Sequence, residues 1–147
     1  MPDGVWFGVD AGTVRVGVAR SDPRGVLAMP VLTLRRDARE DTDITQLAAL
    51  IAEQAGAEPV AGVVVGLPRT LRDTEGPSAA MARDYAARLA RAISPIAVEL
   101  TDERLSTVAA QRKLAGTGVR GSRATRAVID QAAAVELLQL WLDSRRR

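Results

Sequence analysis

The chain has 147 residues, a length that one domain spanning 1–147 accounts for and that suffices to bury a core. It contains no histidine and no cysteine, which excludes a Ser-His-Asp or Cys-His site, a thiol redox centre and a zinc site of the usual ligands. The net charge is +2 and the pI about 9.9, and of 20 basic residues only Lys113 is lysine. Arginine forks onto phosphate oxygens better than lysine does, although an arginine-biased genome explains the composition equally well. No apolar run is long enough to span a bilayer, and Pro2-Asp3-Gly4 behind Met1 is no signal peptide, so a soluble, cytoplasmic protein with no membrane partner is expected. Any catalysis must run on Asp, Glu, Lys, Arg, Ser, Thr, Tyr or a cofactor, and carboxylates favour hard cations such as Mg²⁺ or Mn²⁺.

Val5 to Asp10 reads as a strand, with Val5, Phe7 and Val9 on one face and Trp6, Gly8 and Asp10 on the other. Ala11-Gly12-Thr13 turns the chain into a second strand carrying Val14, Val16 and Val18, and Val26 to Leu34 supplies a third, so the chain begins as an antiparallel meander. Asp43 to Gly56 is helical, with Ile44, Leu47, Ala48 and Ile51 at helical spacing and Gly56 as a stop. Val60 to Val65 is a continuous apolar run, expected of a strand covered on both faces, and Pro68 ends it. A second helix is predicted from about Thr74 to Ile93, a fifth strand from Ile96 to Thr101, and a helix capped by Ser106 running to Leu114. A final helix from about Arg123 to Asp143 carries Ile129, Ala133, Leu137, Leu140 and Trp141. The order βββαβαβαα predicts an α/β fold with one mixed sheet. Arg35 to Thr42 and Gly116 to Arg123 read as mobile connections, and Arg145 to Arg147 as a frayed end.

Three acidic positions and one loop are chemically suggestive. Asp10 ends a strand between Gly8 and Gly12, where backbone and ligand can approach closely; alternatively Asp-x-Gly only makes a turn. Asp102 and Glu103 follow the fifth strand, where open α/β sheets place their sites, though acids there also favour the start of the next helix. Asp130 lies on the flank of an apolar helical stripe, which costs free energy unless the carboxylate binds a cation or pairs with a residue such as Arg126. Val65-Gly66-Leu67-Pro68-Arg69-Thr70-Leu71-Arg72 brings two arginines to a helix entrance, a natural place for phosphate or an ordinary solvated loop.

Taken together and in order, these segments resemble the YqgF/RuvX family, relatives of the RuvC Holliday-junction resolvases within the ribonuclease H-like superfamily. The resemblance rests on GxDxGxxRxG at Gly8 to Gly17 with Ala19 to Asp22 behind it, VGLP at Val65 to Pro68 and EGP at Glu75 to Pro77. It continues with DERLST at Asp102 to Thr107 and IDxxAA at Ile129 to Ala134, and so covers nearly the whole chain. Arg72-Asp73 stands where the family often carries a further glycine, and Arg126 or Arg123 must serve where it usually has lysine before the last-helix aspartate.

The resemblance implies a ribonuclease H-like fold and a metal-dependent endonuclease with Asp10, Glu103 and Asp130 as Mg²⁺ or Mn²⁺ ligands. Asp102 is then either a fourth ligand or a brace for Arg104. It also implies Arg15, Arg69, Arg104, Lys113, Arg120, Arg123 and Arg126 as candidates for phosphate contacts. The expected partner is nucleic acid, with precursor 16S ribosomal RNA ahead of branched DNA such as a Holliday junction; a homodimer is allowed, the oligomeric state staying open. Two other classes compete. An actin-like ATP-binding module shares the opening strand pair but needs two such halves, and a ribosome-assembly or nucleic-acid-binding factor would keep the fold without cleavage.

Overall fold

The computed structural model describes residues 4–68, 76–102 and 123–145, the side chains of 123–127 excepted. Strand alternation decides what each face of the sheet carries. β1 (Val5–Ala11) turns Val5, Phe7 and Val9 to one side and Trp6 with Gly8 to the other, as its period-two pattern predicts. β2 (Arg15–Ser21) returns antiparallel to β1, and β3 (Ala28–Arg35) pairs antiparallel with β2 at the sheet edge. β4 (Val60–Leu67) and β5 (Val98–Asp102) extend the sheet on the far side of β1, both parallel to it, giving the order β3-β2-β1-β4-β5.

Two layers of helix cover this mixed sheet. α1 (Thr42–Ala57) and α2 (Pro77–Ile93) pack on the face bearing Phe7, Val9, Val16, Val18, Val63 and Val65. α3 (Arg123–Arg145) crosses the other face and buries Ala134, Leu137, Leu138 and Leu142 against Trp6, Ala19, Ala28 and Val64. With both faces covered, β4 can be apolar throughout, which is why it reads as an unbroken run rather than an alternation. The α/β fold with a βββαβαβα order follows the expectation; the helix predicted from Ser106 to Leu114 lies outside the described residues. No helix among the described residues is long and apolar enough to cross a membrane.

Several boundaries and contacts differ from the sequence reading, each for a local reason. Val14 is exposed in the hairpin turn and β2 starts at Arg15, because Gly12 N–H closes the turn on the Arg15 carbonyl at 2.9 Å. Gly56 does not stop α1, which runs to Ala57; Glu58 then turns extended because Pro59 follows and disfavours helical backbone before it. Leu140 is exposed, the buried stripe of α3 passing instead through Leu138 and Leu142. Arg145, expected in a frayed end, lies in α3 with its guanidinium 4.9 Å from the Trp6 ring centre and 5.4 Å from that of Trp141. Beneath it the two indoles meet edge to face at 5.6 Å.

The connection from β3 to α1, expected to be mobile, is tied by charge. Asp43, fully buried in the first turn of α1, accepts from Arg36 Nη1 at 2.9 Å, from the Asp37 backbone N–H at 3.1 Å and from the Tyr85 hydroxyl at 3.2 Å. Arg36 also donates to Asp41 at 2.9 Å and stacks over the Tyr85 ring, while Arg88 of α2 reaches Asp41 at 2.9 Å. Burial works against the Arg36 charge, but its bonds to Asp41 and Asp43 outweigh that and raise its pKa. Burial, and then the Asp43 charge, push the Tyr85 hydroxyl well above the ordinary phenol range, so it stays a donor. α1 carries no side-chain cap bond at its start, and this network takes that place.

The edge strand is also closed locally. The Gln139 side chain of α3 accepts from the Ala28 N–H at 2.9 Å and donates to the Val26 carbonyl at 2.8 Å, and Pro30 follows with no N–H to offer.

Asp41 yields a pH test. Bonds from Arg36 and then Arg88 lower its pKa below the ordinary 3.8, so between the two values the native state binds fewer protons than the unfolded chain. Its contribution is therefore complete above 3.8 and lost as pH falls through the depressed native value. Asparagine also tolerates the left-handed backbone here (φ 56°), so Asp41→Asn removes charge without adding strain. Thermal melts should show the variant less stable than wild type at neutral pH and the gap closing below 3.8; a gap unchanged by acid would refute the assignment.

Candidate active site

The site depends on how closely α3 approaches the β1–β2 hairpin. A Cβ added at Gly8 would stand 2.7 Å from the Leu138 Cβ, and one added at Gly17 would run into the Asp130 carbonyl oxygen. Ala19 and Ala134 continue the same small-residue contact, and Gln131 bonds Thr33 of β3 at 3.1 Å. Gly8, which seemed to leave room for a ligand beside Asp10, thus makes room for a helix, and Gly12 lies against the Arg15 carbonyl within the hairpin turn, as the turn reading has it.

Their consequence is the placement of two carboxylates. Asp10 sits opposite Gly17 across the β1–β2 ladder and alternates with Trp6 and Gly8, so it lies on the α3 face. Gly17 abuts Asp130, and the two aspartates therefore flank one glycine on one side of the sheet, at the end where β1 and β4 run out. Each is only 4% exposed. A carboxylate buried to this degree must be paired or hold a cation. For Asp130 a partner is Arg15, whose Nε donates to Oδ2 at 2.6 Å. Arg15, expected as a phosphate contact, is thus drawn onto an aspartate 115 residues away. The signal for this pair was its parity: Arg15, Gly17 and Ala19 alternate onto the same face of β2.

The other candidates divide. Asp102 ends β5 opposite Leu67 and, by alternation with Val98 and Leu100, falls on the α2 face, away from Asp10. Glu103, Arg104, Arg69, Lys113 and Arg120 lie outside the described residues, as do the side chains of Arg123 and Arg126 at the start of α3. Among the described residues no group of three or more acidic side chains is placed to hold a metal. Asp10 and Asp130 nevertheless supply the oxygen-only chemistry that a hard divalent cation takes.

Comparison with known proteins bears on the family and the fold. The profile of the RuvX family, described as Holliday junction resolvase, matches residues 4–144. A protein of Mycolicibacterium paratuberculosis (strain K-10) described as "Putative pre-16S rRNA nuclease" is 58% identical over 140 residues, covering 95% of this chain and 80% of that protein. One from Mycobacterium sp. (strain KMS) with the same description is 55% identical over the same shares. Among solved structures, T. thermophilus RuvC in complex with Holliday junction substrate superposes with a TM-score of 0.50 at 12% identity, covering 97% of this chain and 96% of that one. At that identity the likeness shows a RuvC-like fold.

Two glycine-to-alanine changes separate close packing from backbone freedom. Gly17→Ala must displace α3 and should destabilise by about 1–3 kcal/mol or more, as overpacking does. Gly56→Ala meets nothing within 4 Å and replaces a helical glycine, so it should stabilise by roughly 0.5–1 kcal/mol. Urea unfolding of both proteins checks the contrast, and a neutral Gly17→Ala would contradict the close approach.

Proposed function

This chain belongs to the RuvX family, and on that premise we propose that it is a cytoplasmic endonuclease that trims precursor 16S ribosomal RNA with the help of a divalent metal. The observation that carries the reading is that Asp10 and Asp130, both buried, flank Gly17 on one face of the sheet, one at the end of β1 and the other on α3. Relatives at 55% and 58% identity described by that RNA substrate favour RNA. A branched-DNA substrate is the second reading, favoured by the family's own description as a resolvase.

In this proposal Asp10, Asp130 and Glu103 hold Mg²⁺ or Mn²⁺, with Asp102 as a brace for the segment that follows rather than a ligand. A divalent ion held there supplies activation of a water and stabilisation of the leaving 3′-oxygen in an in-line displacement. The chain's own contribution is positional. The rigid β1–β2 ladder fixes Asp10, α3 fixes Asp130, and the close contact at Gly17 holds the two to each other. Pre-set geometry of this kind lowers the barrier because little reorganisation is left for the reaction. Arg69, Arg104, Lys113, Arg120, Arg123 and Arg126 would grip backbone phosphates, positioning the strand without reading its bases.

The test is cleavage of precursor 16S RNA and a four-way DNA junction side by side with Mg²⁺, Mn²⁺ or EDTA, using wild type, Asp10→Asn and Asp130→Asn. Asparagine keeps the shape of the side chain but loses the charge that a hard cation needs. Each variant should lose at least about a hundredfold in single-turnover cleavage while still binding RNA, since the loss falls on the transition state. Wild-type cleavage by folded Asp10→Asn would refute the metal role, and binding without cleavage by the wild type would favour an assembly factor.

A further inference from the structure

The ion pair at the centre of the site has a geometry of its own. Arg15 begins β2, directly after the turn that Gly12 closes, and its side chain is 27% exposed. It meets Asp130 side-on, through Nε alone, rather than end-on through the two-pronged fork that makes arginine–carboxylate pairs tight and geometrically demanding. Among the described residues its terminal nitrogens meet no acceptor. A single bond from a partly exposed guanidinium is exchangeable: only one contact is given up, and the flexible side chain has solvent to move into.

We propose that Arg15 is a positioning residue that keeps the place of the metal on Asp130. This rests on the reading of Asp130 as a metal ligand. Without an ion, the guanidinium supplies the positive charge that the buried carboxylate requires and holds its oxygen aimed at the β1–β2 hairpin. Asp130 would hold a divalent cation only by exchanging this charge for the ion's, and Arg15 would then give up its bond and swing into solvent, since like charges repel at such short range. Metal affinity is then the difference between two cations competing for one carboxylate. The protein holds its apo site in shape at the expense of binding metal less tightly than two free aspartates would.

The experiment is Mn²⁺ titration by calorimetry, without nucleic acid, on the full chain as wild type, Arg15→Gln, Arg15→Ala and Asp130→Asn, with thermal melts alongside. Glutamine can still donate one hydrogen bond to Asp130, so Arg15→Gln guards against misfolding of the alanine variant. Removing a charge-assisted hydrogen bond that competes with the metal should tighten Mn²⁺ binding about tenfold in Arg15→Gln and more in Arg15→Ala. Both should melt lower than wild type without metal, and Mn²⁺ should raise their melting temperatures by more than it raises that of wild type. Asp130→Asn should lose the binding. Equal or weaker Mn²⁺ affinity in folded Arg15→Gln, with binding still dependent on Asp130, overturns the place-keeping role and leaves the metal site standing. Mn²⁺ binding that is unaffected by Asp130→Asn, or absent from every protein, overturns both.

Discussion

Everything at the candidate site depends on one close contact, the backbone of α3 lying against Gly8 and Gly17. A side chain at either glycine would lift the helix off the strand pair, and with it Asp130 off the level of Asp10. Because protein interiors do not compress, even a methyl group there is a displacement rather than a tight fit. The contact also explains the composition of this face. Where the α1–α2 side of the sheet is filled by valine, phenylalanine, leucine and isoleucine, the α3 side sets glycine, alanine, Val64 and the Trp6 ring of the sheet against the leucines and Trp141 of the helix, and Gly62 yields even to the Trp6 ring, 2.6 Å from where a Cβ would be.

The two faces accordingly do different work. The α1–α2 face carries the larger apolar core, where each fully buried Leu, Ile or Phe is worth roughly 1.5–3 kcal/mol. Asp43, buried on this face, is satisfied from three directions and tied to Tyr85 and Arg36. On the α3 face, among the described residues, the buried charges are Asp10 at the end of β1 and Asp130 on the helix, with Arg15 bonded to Asp130 through Nε. The half that carries the larger apolar core, with Asp43 tied on three sides, thus supports the half that carries the candidate site.

The strands, the helices and the mixed sheet were legible in the sequence because each depends on local periodicity: alternation in β1, the unbroken run of β4, the helical spacing of Ile44, Leu47 and Ile51. Asp10 stood out because glycines flank it at a strand end, and Asp130 because it sits on the flank of an apolar helical stripe; that both come to the same face of the sheet follows from the fold. Who pairs with whom was not. Arg15 with Asp130 spans 115 residues and Tyr85 with Asp43 spans 42, and no periodicity encodes such a distance. The β3–α1 connection looked mobile because polar residues crowd it, yet those same groups, Arg36, Asp37 and Asp41, close on Asp43 and Arg88 to hold it. The glycines were legible as sites of close approach, but whether ligand or helix approaches is a tertiary fact.

Gln139 shows how the same helix protects the sheet it packs against. An outer strand with open N–H and C=O groups is a template on which another chain can lay itself, and a mixed sheet with a free meander edge carries that hazard. By taking the Ala28 N–H and the Val26 carbonyl with one side-chain amide, Gln139 imitates a neighbouring strand where a foreign strand would begin to pair, and Pro30 denies it a donor just beyond. The chain can therefore keep a partly apolar border at this end of β3 without offering its first hydrogen bonds to a stranger, and the helix that brings Asp130 to the site also guards the start of the sheet's β3 edge.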